Sequence, residues 1–354
     1  MRDGSISFNH NLDCEMVHLY EPKNETFIKS TGRHFRTVID GKHHNFSIPL
    51  SFWGRLCSVF RICRRLFRLD KSNAVLNFER DGVIVLYRGN IWYFCLKDKT
   101  LNMTGSLKNC RNVLHGGIAV IREGIYIAEY GENKGRQPVD VLCSKDGGSS
   151  WAIIHSFPRG SIKHAHGVYF DPYGDQLWIP TGDFEGECFM VCADFEFKNV
   201  VMIGDGSQKW RGVGMFFTEY EVIWGMDSPL ETSYIQSLNR KTLTLTQGQS
   251  MPGPVWYTKH LSDGIALIQT SVEIGPGVLD NSSYIFASED MVNWVPVSVF
   301  EKDSLPMRYF KWGVIAFSDG KQDSNDFTFS GEALKGLDGL TYSGKLILDN
   351  KLSE

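Results

Sequence analysis

From about residue 75 onward, short apolar runs rich in β-branched and aromatic side chains alternate with turns of Gly, Asp, Asn and Ser, and helix-period segments are scarce. Several runs end alike: Gly124-Ile125-Tyr126-Ile127-Ala128-Glu129, Leu177-Trp178-Ile179-Pro180-Thr181-Gly182-Asp183 and Val222-Ile223-Trp224-Gly225-Met226-Asp227, with weaker copies from Ile265 to Glu273 and from Val314 to Asp319. Their closing acids are spaced 54, 44, 46 and 46 residues apart, the length of a four-stranded propeller blade. Each run follows another that opens on a polar or aromatic cluster: His115-Gly116-Gly117, His164-Ala165-His166-Gly167, Trp210-Arg211-Gly212, Trp256-Tyr257 and Arg308-Tyr309. These openings read as the starts of successive innermost strands. With one earlier blade from about 75 to 112, the pattern predicts an all-β fold, a six-bladed β-propeller of four-stranded antiparallel blades over residues 75–350.

Residues 1–74 read as an N-terminal extension, its first fifty residues polar and mixed, contributing at most a strand that closes the ring. Residues 51–69 hold five arginines and no acid among Phe52, Trp53, Leu56, Val59, Phe60, Ile62, Leu66 and Phe67. At helical spacing this is a basic amphipathic helix. It is expected either to make a peripheral membrane contact, arginines against anionic head groups, or to pack on the propeller with its arginines paired.

Composition narrows the function. The 354 residues carry 37 Lys+Arg against 41 Asp+Glu, a net charge of -4, so no global basic field points to nucleic acid. Thirty-five glycines and 13% aromatics suit a turn-rich β protein. The N-terminus lacks a signal-like apolar run and no stretch is long enough to span a bilayer, so a cytoplasmic protein is expected, membrane-associated where residues 51–69 make that contact. The eight cysteines lack CxxC spacing and read as free thiols.

Ser144-Lys145-Asp146-Gly147-Gly148-Ser149-Ser150-Trp151 fits the Asp-box pattern S-x-D-x-G-x-[ST]-W, and Ser288-Glu289-Asp290-Met291-Val292-Asn293-Trp294 is a shortened copy 144 residues on. Both read as structural hairpin pins. The boxes resemble those of the Asp-box (BNR-repeat) propellers of the sialidase-like superfamily. The segment from His164 to Asp183 resembles, more narrowly, glycosyl-hydrolase-like proteins of bacterial surface polysaccharide gene clusters. The resemblance implies a propeller acting on carbohydrate.

In a propeller, inner-strand starts and second-strand ends converge at one channel mouth. There, His164, His166, Asp183, Glu129, Asp227 and Glu273 are the catalytic candidates, since neighbouring carboxylates and imidazoles suit acid–base work on a glycosidic bond. His115, Glu132, Arg136, Arg211, Trp256, Tyr257 and Arg308 are the substrate-binding candidates, arginines for a sugar carboxylate and aromatics for pyranose faces. No cofactor is required by this chemistry. If a divalent metal is present, His115, His164, His166 and Asp183 would hold it, because residues i and i+2 of a strand share a side. The expected ligand is an acidic glycan or lipid-linked saccharide. The expected function is a glycosidase-like carbohydrate-active enzyme, with a non-catalytic glycan-binding or scaffold propeller and a metal-dependent lyase or epimerase on a uronic acid as alternatives.

Overall fold

In a computed structural model that describes residues 4–348, the alternation resolves into seven four-stranded antiparallel sheets arranged as blades. The innermost strands are, in chain order, Met16–Glu21, Ser72–Leu76, Ile118–Ile121, Tyr169–Asp171, Gly212–Phe217, Val255–His260 and Val314–Phe317. The count corrects the expected six. The additional blade lies in the residues read as an extension: Met16–Glu21, Thr26–Thr31, His34–Ile39 and Lys42–Ser47 pair in sequence. Its outer strand, KHHNFS, is half exposed and mostly polar, so it shows no apolar run. Residues 1–3 and 349–350, part of the expected domain limits, lie outside the described residues.

The ring closes through the chain's beginning. Gly4–Asn11 pairs antiparallel with Thr341–Leu348 as the outermost strand of the seventh blade, and Phe8 packs edge-on against Phe300, Phe329 and Tyr342. Second strands such as Gly82–Tyr87 are buried throughout because neighbouring blades cover both faces. The apolar clusters accordingly sit between blades; one joins Ile28, Phe35 and Phe46 of the first to Val83, Val85 and Phe94 of the second. Each large side chain buried in this way stabilises the fold by about 1.5–3 kcal/mol.

Both Asp-box segments link the third and fourth strands of a blade. Asp146 Oδ1 accepts from Ser144 Oγ at 2.8 Å and Ser150 N at 2.9 Å, while Trp151 Nε1 reaches Thr104 Oγ1 at 3.2 Å on the preceding blade. Gly148, at φ +105°, is needed because a Cβ there would stand 2.6 Å from Ile84 Cγ1. In the shorter copy Asp290 Oδ1 takes the amides of Val292 and Asn293, and Trp294 is buried.

Residues 51–69 form two short helices, α1 (Phe52–Cys57) and α2 (Arg61–Phe67), the first capped by Ser51 Oγ accepting from Gly54 N. Arg61, Arg64 and Arg65 turn inward onto the propeller. Arg64 grips Glu15 at 2.7 Å, Arg61 reaches Glu15, Asp70 and Asp338 at 2.9–3.0 Å, and Arg65 holds Asp303 at 2.7 Å. These arginines fasten the pair to the propeller, and the apolar side chains face outward, Phe52 and Trp53 being 70% and 71% exposed. Among the described residues, no helix is long and apolar enough to cross a membrane.

Candidate functional site

The fourth blade builds the centre of the site. His164-Ala165-His166 is extended, Ala165 bridging Thr181, so alternation buries Ala165 and sends both imidazoles the other way. The second strand, Gln176–Pro180, leads to Gly182, whose φ of +89° and a would-be Cβ 2.3 Å from Glu187 O allow no other residue in this turn. That turn delivers Asp183 to the imidazoles.

The hydrogen bonds set the tautomers. His164 Nδ1 donates to Gly131 O at 2.7 Å and His166 Nδ1 to Gly212 O at 2.6 Å. A carbonyl only accepts, so each Nδ1 carries a proton and each Nε2 is the ring atom turned to the site. The two Nε2 atoms face each other at 3.1 Å, with Asp183 Oδ1 at 3.3 Å from His164 and 3.4 Å from His166.

Cations and carboxylates surround this triangle. Lys163 Nζ lies 2.6 Å from Asp183 Oδ2; Arg211 Nη2 lies 3.0 Å from Asp183 Oδ1, and its Nε 3.2 Å from Asp227 Oδ2. Burial alone would raise the Asp183 pKa, but His164, His166 and Arg211 outweigh it and hold the carboxyl well below its ordinary range. Asp227 differs: burial pushes it up to about 7 against the pull of Arg211, and its Oδ1 has no partner. Glu273 is also raised by burial, and accepts from Trp256 Nε1 at 2.8 Å and Ser271 Oγ at 3.0 Å.

His164 and Lys163 line a cavity of about 1040 Å³ between this mouth and the helix pair. Its wall includes Arg68, Lys71, Arg88, Arg111 and Lys311, against Glu132 and Glu332, with Tyr130, Trp256, Tyr257 and Trp312 supplying aromatic surface.

Five of the six catalytic candidates therefore meet here: His164, His166, Asp183, Asp227 and Glu273. Glu129 does not. It points into its blade, accepting from the amides of Lys108 and Asp140, and its neighbour Tyr130 takes the channel side, 4.3 Å from the His164 ring. Among the binding candidates, Arg211, Trp256 and Tyr257 are in or beside the cluster, and Glu132 lines the cavity. His115 sits within the channel against His18 and Tyr257, its pKa lowered to about 3 by burial and by Lys71, apart from the other three residues expected to hold a metal. Arg136 is committed to Glu187 at 2.7 Å and to the Phe184 ring. Arg308 lies on a short helix, Met307–Phe310, ahead of the inner strand it was taken to open, and outside the cavity.

The sequence reading passed over Tyr130, Lys163, Trp312 and Glu332. Lys163 directly precedes the chosen His164. Glu332 ends the second strand of the seventh blade, hidden because Val314–Asp319 was taken for that strand and is instead the inner one.

No family model and no curated protein sequence matches the chain. Solved structures do. The structure of U3-55K aligns with a TM-score of 0.53 at 7% identity, covering 97% of this chain and 98% of that one. The RRP9 WD40 repeats give 0.54 at 7% identity, covering 98% of each, and a chain of the mitotic checkpoint complex gives 0.57 at 10%, covering 97% and 95%. These matches overturn the resemblance to sialidase-like Asp-box propellers and to polysaccharide-cluster glycosyl-hydrolase-like proteins. An Asp-box is a local device for pinning one hairpin, and a four-stranded blade of any propeller can carry it. By its fold the chain is a seven-bladed, WD40-like β-propeller.

Proposed function

We propose that this propeller is a carbohydrate-active enzyme of the cytoplasmic membrane surface, which takes an anionic, lipid-linked saccharide into the cavity beside the helix pair. The observation that carries the reading is the cavity's unbalanced wall in an acidic protein. Among the described residues, Arg68, Arg88 and Arg111 make no ion pair, and burial lowers the Arg68 pKa against the pull of Glu332 and Asp70, with Arg111 and Arg65 adding to it. Crowded guanidiniums of this kind favour a polyanionic guest, and fork-shaped donors suit carboxylate or phosphate. Trp256, Trp312 and Tyr130 offer flat surfaces for sugar rings.

The outward face of the helix pair supplies the membrane contact. Phe52, Trp53, Leu56, Val59, Phe60, Leu66 and Phe67 are exposed on the helix pair, and among the described residues Arg55 has no carboxylate partner either. Apolar side chains enter the acyl boundary while the unpaired arginines meet anionic head groups.

Two assays test this. In flotation, vesicles containing phosphatidylglycerol should carry the protein and phosphatidylcholine vesicles should not, and Phe52→Ser/Trp53→Ser should abolish the effect. Tryptophan fluorescence should report binding of trigalacturonate but not maltotriose, weakened about tenfold or more by Arg88→Ala/Arg111→Ala. Equal response to both sugars, or to neither, overturns the ligand class. Binding with no chemical change in any lipid-linked uronate would make the protein a glycan-binding module.

A further inference from the structure

We infer that His164, His166 and Asp183 form a binding site for one divalent first-row transition ion, zinc above all. The inference does not depend on the ligand class proposed for the cavity.

The triangle itself is the first argument. Nε2 of His164, Nε2 of His166 and Oδ1 of Asp183 are three lone-pair donors turned toward one another, with edges of 3.1, 3.3 and 3.4 Å. Both Nδ1 protons are spent on carbonyls, so Nε2 is the atom each ring offers to the gap. Three such atoms in mutual contact call for a positive centre between them, a metal ion or a proton. Ligands about 2.0–2.2 Å from a tetrahedral ion stand about 3.3–3.6 Å apart, so the two edges to Asp183 match one face of such a polyhedron, the edge between the imidazoles is slightly shorter, and the fourth position is left free. Two histidines and one carboxylate also form the donor set that favours zinc, iron or manganese over magnesium or calcium.

The outer groups are the second argument. Metal-bound imidazoles characteristically donate their other N–H to a carbonyl or carboxylate, which fixes ring orientation. Here both acceptors are glycine carbonyls locked by packing: a Cβ on Gly131 would fall 2.0 Å from Asn109 O, and one on Gly212 2.9 Å from Met190 Cε. Asp183 is ordered in turn by Lys163 and Arg211. At the open position such an ion would take one anionic group, a hydroxide or a substrate carboxylate. His164 lines the cavity, so an ion there is reached from the same space as the ligand.

The test uses the full chain, stripped with a chelator and then freed of it. Titration calorimetry with ZnCl₂ should give one equivalent per chain, MnCl₂ should bind more weakly, and MgCl₂ should give no heat. Zinc should raise the melting temperature of the native chain. Asp183→Asn keeps the side chain's shape and removes the charged ligand; with His164→Gln as a second conservative variant, zinc affinity should fall about 100-fold or more. Circular dichroism confirms that each variant is folded before it is titrated. Absence of zinc binding to the native chain, or retention of native affinity in both folded variants, overturns the site. A proton held between the imidazoles in place of a metal would give the first of these results.

Discussion

The channel has two mouths, and each holds a lysine that burial pushes down to about 8, Lys311 at the cavity and Lys259 at the opposite end. Lys259 donates to Ser318 O at 2.8 Å and Gly320 O at 2.6 Å, near Asp319, whose pKa burial raises. It borders a smaller cavity of about 360 Å³ with Tyr169 and Tyr173. Lys311 instead pairs with Asp70 at 3.1 Å and Glu332 at 2.8 Å. A buried charge is thus common to both ends and marks neither as a site. The cavity end differs in bringing His164 Nε2, His166 Nε2 and Asp183 Oδ1 within 3.1–3.4 Å of one another.

The largest test of that contrast exchanges one carboxylate at each end. Asp183→Ala leaves Lys163 and Arg211 buried beside an empty position and should cost about 3–5 kcal/mol in urea unfolding. Asp319→Asn should cost about 1 kcal/mol or less, because burial already favours the uncharged form there. The reverse order would remove the distinction between the mouths. Next in size, Glu15→Ala strips Arg61 and Arg64 of their shared partner and should loosen the helix pair by about 3 kcal/mol. Hydrogen exchange should then quicken across residues 52–67 while blade interiors stay protected.

A smaller effect lies in pH. Lys259 and Lys311 have folded pKa values near 8 against about 10.5 in the unfolded chain. Below pH 8 both are charged in either state and the burial penalty is fully present. Between about 8 and 10 the unfolded chain binds more protons, so the unfolding free energy should rise with pH. Lys259→Met should flatten part of this rise and leave zinc binding unchanged; an unaltered slope would remove Lys259 as its source. Smallest of all, Arg88→Ala/Arg111→Ala should shift stability by no more than about 0.5 kcal/mol, since both arginines are exposed and unpaired among the described residues, yet lower affinity for uronates.

Much of the site was legible before the fold was known, and the errors have physical causes. The i, i+2 rule found His164 and His166, and the run ending Trp178-Ile179-Pro180-Thr181-Gly182 found Asp183, because both signals are local. Glu129 points into its blade while Tyr130, one residue on, faces the channel, a difference that no spacing in the sequence marks. The first blade escaped because strands such as Lys42–Ser47 face solvent and show no apolar run. Arg308 was misplaced because a helical turn separates it from Val314. The helix pair was visible as a basic and apolar stretch, but its orientation depends on Glu15, Asp303 and Asp338, distant in sequence and unreadable from periodicity.

The most direct measurement is anomalous diffraction at the zinc edge from crystals grown with ZnCl₂. The account predicts a single strong peak about 2.0–2.2 Å from each of His164 Nε2, His166 Nε2 and Asp183 Oδ1. A map with no peak between those atoms, or with its peak at Lys259 and Asp319, would contradict it.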